Sequence, residues 1–280
     1  METRQLKNKR IRNSLRQQLK QMLGWTPEFQ NNIDAGKPFI KESHGILALH
    51  FDGMSIQSEL SIEQPDKLVL SYTRTMMSFL LFEPEPKSIA MIGLGGGSLA
   101  KYCYRHLPQT KITVAEINPD VIALRNEFAI PADDARFRIL ANDGAAFVSA
   151  TDDEFEVLMV DGFDTSGLPT PLSSQEFYEA CFAALPEHGI LVVNLWGSHA
   201  HYHECMERIH NSFSGNLLVV SADEDPNKIV FAVKAAHRMP SPETLRHHAD
   251  TLSCNHPLDF HTKAKKLLAA LPVRAELAPV

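Results

Sequence analysis

Several protein classes are excluded by what this chain has little of. No apolar run in its 280 residues approaches the roughly twenty needed to cross a bilayer, so no membrane partner is expected. The amino-terminal stretch lacks the apolar centre of a secretory signal, and a cytoplasmic location is the expectation. Cysteine is scarce: Cys103, Cys181, Cys205 and Cys254 are scattered, with neither metal-ligand spacing nor the density of a disulfide framework. They read as small buried apolar residues. The histidines are numerous, yet His201 with His203 and His247 with His248 lack the i, i+4 spacing and third ligand of a zinc site, so no metal is expected. Positive charge is in deficit, 27 Lys and Arg against 34 Asp and Glu, a formal net charge of −7. That balance disfavours nucleic acid as a partner and suits a cationic ligand.

The stretch that organises the chain runs from Ser88 to Glu116, SIAMIGLGGGSLAKYCYRHLPQTKITVAE. Ser88 to Ile92 is an apolar run without a polar face, as in a strand covered on both sides of a parallel sheet. A turn through Gly93, Gly95, Gly96 and Gly97 follows, where the backbone can take positive φ and approach a ligand closely. The helix starting near Ser98 aims its free N–H groups at the same place. Ile112 to Ala115 forms the next strand, and Glu116 at its carboxyl end suits the two hydroxyls of a ribose. This is a nucleoside-binding βαβ unit. The sixth fingerprint position of a dinucleotide site should be Gly or Ala, and here it is Ser98, so an adenosyl-sulfonium ligand fits better than NAD.

Around this unit the chain divides into a basic helix or arm (1–36), a small β unit (37–64), a Rossmann-like nucleoside-binding catalytic domain (65–240) and carboxyl-terminal helices with a tail (241–280). Residues 3–23 are basic, with Leu6, Ile11, Leu15, Leu19 and Leu23 at roughly helical spacing. ILALHF and MSIQSEL, separated by Asp52-Gly53, predict a hairpin. Pro65 to Phe82 predicts a helix that stops before Pro84. After Glu116 the pattern predicts a helix over 119–128 capped by Asn118, a strand over 137–140 followed by Asp143-Gly144, and a strand over 155–160 closed by Asp161. A helix from Ser173 or Ser174 to Leu185, a strand over 189–196 and a helix over 201–212 come next. Residues 216–221 and 228–233 are too close for a helical crossover and should pair antiparallel. The fold class is therefore α/β: a doubly wound, mostly parallel sheet of the class I methyltransferase type with a terminal antiparallel hairpin, preceded by a small β unit.

Glu116, Asp143, Asp161 and Asp164 fall just after successive strands, so they should converge at the carboxyl edge of the sheet, although Asp143 alone reads equally well as a helix cap. At this point the sequence resembles the spermidine synthases and their bacterial relatives, which transfer an aminopropyl group from decarboxylated S-adenosylmethionine. The resemblance spans about residues 45–235 and rests on FDGMSIQSE, LSYTRTMM, the glycine turn, VAEINPDVI, ANDGAAF and VDGFDTSGLPTPLSSQEFY. It implies that Gly93, Gly95, Gly97 and Gly144 line the donor site, that Glu116 holds the ribose and that Asp143 holds the adenine amino group. It further implies that Asp161 faces the attacking amine, that Asp164 holds the aminopropyl ammonium, and that Gln57 and Tyr72 sit at donor-side and gate positions.

The implied partners are the nucleoside donor, as co-substrate rather than resident cofactor, and an amine such as putrescine or another polyamine. Methylthioadenosine is the implied product and a homodimer the implied assembly. Two departures fall on the acceptor side: Gly96 stands where the family usually carries an aspartate, and ADEDPNKIV lacks the family's late tyrosine. The alternatives are a methyltransferase using S-adenosylmethionine, or a relative that kept the nucleoside pocket without catalysis.

Overall fold

The computed structural model describes residues 37–52, 55–151, 154–163 and 167–271. The basic segment 3–23, Gly53 and Asp164 lie outside the described residues. Among the described residues there are two sheets. The first is a three-stranded antiparallel meander of β1 (Phe39–Ser43), β2 (Ile46–His50) and β3 (Ile56–Ser61). The hairpin expected on either side of Asp52-Gly53 is the β2–β3 pair. β1 is an addition, turned onto β2 by His44 and Gly45, both at positive φ (51° and 74°), as a tight two-residue hairpin turn requires.

The second sheet has seven strands. Its parallel part comprises β4 (Ser88–Ile92), β5 (Lys111–Glu116), β6 (Phe137–Ala141), β7 (Val157–Val160) and β8 (Ile190–Trp196). β9 (Leu217–Ser221) and β10 (Asn227–Val233) complete it, in the order β6-β5-β4-β7-β8-β10-β9. β10 runs antiparallel to both β8 and β9, so the sheet ends in the expected hairpin with the last strand inserted inside the edge. Winding reverses between β5 and β7 on the two sides of β4, and the crevice at such a reversal is where doubly wound sheets bind ligands.

The central strands are apolar on both faces because both are covered. Ile89, Met91, Val114, Met159, Val192 and Phe231 belong to one core layer, whereas Ala90, Ile92, Leu158, Val160, Leu191 and Val230 belong to the other. The first layer is shared with α1 (Ser71–Met76), the 3₁₀ segment Met77–Leu81, and α2 (Ser98–His106). The carboxyl-terminal helices α7 (Pro242–Asn255) and α8 (Phe260–Ala270) also join it. The second is closed by α4 (Gly144–Ala150), α5 (Gln175–Ala183) and α6 (Tyr202–Ser212).

Two helices are shorter than their sequences predict. The Pro65–Phe82 stretch is α-helical only from Ser71, because the Arg74 guanidinium takes the Leu68 and Val69 carbonyls and holds that segment outside the helix. α3 (Pro119–Ala123) gives way to turns ending at Ala129, whose φ is +52°. Those turns carry buried Phe128 back against the glycine turn, with its carbonyl accepting from buried Lys101 Nζ at 2.7 Å.

β3 docks on that same turn. Ser58 Oγ lies 3.3 Å from Ser98 Oγ, and Ser98 Oγ donates to the Glu59 carbonyl at 3.3 Å. A β-carbon added at Gly96 would stand 2.7 Å from both Phe128 Cδ1 and Ser58 Oγ, so glycine is required there by the packing of two other segments. Gly96→Asp is therefore expected to lose about 1–3 kcal/mol of stability in urea unfolding, through overpacking. A substitution without effect would contradict this contact.

The carboxyl-terminal helices carry a second measurable consequence. His256 is held by the Tyr102 hydroxyl at 2.9 Å, with its ring 5.6 Å from that of His106. Burial first, then the neighbouring His106, pushes the His256 pKa down to about 4 from its usual 6.5. The unfolded chain then binds this proton more readily than the folded one, so stability is full above pH ~6.5 and is lost as pH falls towards 4. Thermal melts from pH 7 to 4.5 are expected to show this loss, and His256→Gln to flatten its slope.

Candidate active site

The site is built where β4, β5, β7 and β8 end. After Ile92 the chain enters the glycine turn, with Gly93 at φ +92°. A side chain at Gly93 would collide with the Asp161 backbone, 2.8 Å from its carbonyl carbon, because Asp161 N donates to the Ile92 carbonyl at 2.9 Å and draws the two strand ends together. Gly93 N in turn donates to Ala115 O at 2.9 Å. Three strand ends are thereby fixed within one hydrogen bond of each other. Gly97, at φ +66°, is the N-cap of α2, and among the described residues no side chain caps that helix, so its first N–H groups remain free to donate.

Glu116 is buried at the end of β5 and accepts from Leu94 N and Asn118 N, each at 2.8 Å, one bond per carboxylate oxygen. Each oxygen keeps a lone pair, which is what two vicinal hydroxyls need. Ile117 beside it is 67% exposed, an apolar surface suited to one face of a purine. Asp143 caps α4 by accepting from Ala146 N at 2.8 Å, so the cap is present, and among the described residues no protein donor engages its other oxygen. Gly144 is buried against Ile92 and Leu172 and brings the start of α4 onto the end of β4. Gln57 lies on β3 next to Ser58, whose Cβ would stand 3.6 Å from a β-carbon added at Gly95.

Asp161 is the centre of the polar groups at the other wall. Its Oδ1 accepts from Asn194 Nδ2 at 2.8 Å, and the Tyr72 hydroxyl also hydrogen bonds to it. Burial pushes its pKa up from the ordinary aspartate value, while Asn194 and Tyr72 pull in the opposite sense by bonding to the charged form. Tyr72 is pushed well above the usual phenol range by burial first and then by the Asp161 charge, so it stays a proton donor to Asp161. Asn194, 1% exposed in β8, has its own Oδ1 satisfied by Asn227 Nδ2 at 2.7 Å.

Tyr72 and Asp161 are therefore in contact, and the Asp161 backbone abuts the glycine turn that Glu116 reaches from the other side. Asn194, Asn227 and Ile117 were not singled out from the sequence. Asn194 had a signal, as the one polar residue in the apolar run ILVVNLW. Ile117 had another, a large apolar residue directly after a strand-end acid.

Comparison with known proteins gives the lineage. The family model for the spermine/spermidine synthase domain matches residues 69–222. A polyamine aminopropyltransferase of Neisseria meningitidis serogroup A is 37% identical over 235 residues, covering 83% of this chain and 89% of that protein. A crystal structure of a probable spermidine synthase from Corynebacterium glutamicum superposes with a TM-score of 0.64 at 16% identity, covering 87% of this chain and 94% of that one. Human methyltransferase-like protein 13 in complex with SAH superposes with a TM-score of 0.59 at 19% identity, covering 70% and 93%, a likeness of fold alone. With glycine turn, strand-end glutamate and tyrosine-bonded aspartate on one crevice, and the family match covering them from Tyr72 onward, the chain belongs to the spermine/spermidine synthase family.

Proposed function

We propose that this chain is an aminopropyltransferase that moves the aminopropyl group of decarboxylated S-adenosylmethionine onto an amine, putrescine or another polyamine, and releases methylthioadenosine. The observation that supports it most is that a half-buried aspartate, Asp161, shares a wall with the glycine turn through the Gly93 contact. The donor side fits a nucleoside. Glu116 offers paired acceptors to a ribose, the uncapped start of α2 offers donors, and Ile117 offers an apolar face.

The donor's sulfonium supplies an already activated carbon, so the protein's own task is to hold the amine and remove a proton. An alkyl ammonium has a pKa of about 10, and near neutral pH only about one molecule in a thousand carries its lone pair. Asp161 accepts that proton or orients the free amine, and its raised pKa brings it nearer the range in which a general base works. Tyr72 and Asn194 fix the carboxylate and oppose the upward shift that burial imposes on it. Positioning contributes much of the remaining rate. Asp164, which lies outside the described residues, is assigned to the aminopropyl ammonium, Asp143 to the adenine and Gln57 to the donor side as part of the same proposal.

Incubating the purified chain with the decarboxylated donor and a panel of diamines and polyamines tests this by the appearance of methylthioadenosine. Asp161→Asn is expected to lower kcat by at least ~100-fold, the scale of a lost general base, while donor affinity measured by calorimetry stays within about threefold. Turnover equal to that of the unsubstituted protein would remove the assigned role. Tighter binding of S-adenosylmethionine than of its decarboxylated form, with methyl transfer, would replace the reaction. In Asn194→Ala the loss of a bond to the charged form raises the Asp161 pKa further, so the acid limb of the kcat profile moves to higher pH.

A further inference from the structure

The turn between β9 and β10, ADEDPN, carries three acids that meet different fates. Asp223 pairs with Lys266. Glu224 pairs with Arg74 at 3.3 Å. Asp225 meets no basic side chain among the described residues, although it is half-buried, and its hydrogen bonds run towards Tyr72 and Asp161.

Those bonds close a ring. Asp225 Oδ2 accepts from Ser71 Oγ at 2.6 Å, and Ser71 is the neighbour of Tyr72 at the start of α1. Asp225 Oδ1 accepts from Asn227 N at 3.2 Å, and Asn227 Nδ2 donates to Asn194 Oδ1 at 2.7 Å. Asn194 Nδ2 donates to Asp161, and the Tyr72 hydroxyl returns to the same carboxylate. The ring therefore carries two acids, Asp161 and Asp225, set on different elements and linked through both Tyr72 and Asn194. The Asp225 charge also acts on the Tyr72 hydroxyl, the third influence after burial and Asp161 that raises its pKa.

Asp225 is held by two neutral donors, Ser71 Oγ and Asn227 N, so its half-buried carboxylate keeps lone pairs that a cation can take up in a charge-assisted bond. The opposite wall cannot supply such a charge at Gly96, whose side-chain space is filled by Phe128 and Ser58. We propose that Asp225 binds the second ammonium of an acceptor whose reacting nitrogen lies at Asp161, and so sets the preference for amines with two charges. This rests on the aminopropyltransferase reading above and adds the residue that selects the acceptor.

The test compares putrescine with n-butylamine, which has the same carbon chain and lacks the second ammonium. The full chain is assayed with the decarboxylated donor, and binding of each amine is measured by calorimetry in the presence of methylthioadenosine. A charge-assisted contact of this kind is expected to give the diamine a preference in kcat/KM, and Asp225→Asn to reduce that preference about 10- to 100-fold, mainly through the KM for putrescine. Asp225→Glu is expected to recover part of it. Ser71→Ala keeps the carboxylate while removing its hydroxyl donor, and its preference is expected to stay within about threefold.

If Asp225→Asn lowers both amines equally, Asp225 is structural and the inference is overturned. The same holds if the diamine preference survives the substitution. Absence of turnover with either amine, with putrescine binding still weakened by Asp225→Asn, would overturn the transferase reading and leave the cation site standing.

Discussion

The site depends on the meeting of two strand ends. β4 and β7 are parallel neighbours, and the hydrogen bond from Asp161 N to the Ile92 carbonyl carries their register one residue past the strands. The Asp161 backbone is thereby pressed against Gly93, where only a residue without a side chain fits. One geometric constraint thus sets the distance between the glycine turn and the Asp161 carboxylate, to which the proposed reaction assigns the incoming amine. Reaction between two bound molecules needs such a fixed separation, because a displacement of even an ångström is costly.

Charge is arranged around that constraint in two kinds of environment. Glu116 is tied by backbone N–H groups, one on each oxygen, that fix its orientation, as suits a residue that holds hydroxyls. Asp161 is tied by a phenol and an amide in a desolvated place, where burial raises its proton affinity and the two hydrogen bonds partly offset that rise. The supporting residues come from three elements: Tyr72 on α1, Asn194 on β8 and Asn227 on β10. β10 reaches the site only because it is inserted between β8 and β9, and its pairing of Asn227 opposite Trp196 places it beside Asn194. The terminal hairpin thus helps to build the end of the sheet that carries Asp161 as well as the sheet's edge.

What could be read in the sequence follows the range of the forces involved. The parallel strands were legible as apolar runs because both faces are covered, and the glycine turn because its backbone needs are local. Glu116 and Asp161 were legible because strand ends in such a sheet share an edge. The length of α1 was not, since its start is set by Arg74 folding back onto carbonyls that helix propensity alone would have used. The Ser71–Asp225 bond joins residues 154 positions apart, and no local pattern announces it. The closure of Gly96 by Phe128 and Ser58 is hidden in the same way, being a contact between three separate segments.

The central claim is that the nucleoside and the amine occupy one crevice, on the two sides of the Gly93–Asp161 contact. A crystal structure of the chain with methylthioadenosine and putrescine together tests it most directly. Ribose hydroxyls on Glu116 and an amine nitrogen within ~3 Å of the Asp161 carboxylate, the ordinary distance of a charge-assisted hydrogen bond, are expected. A nucleoside seated on Glu116 with the amine bound away from Asp161, or a nucleoside bound elsewhere, would contradict it.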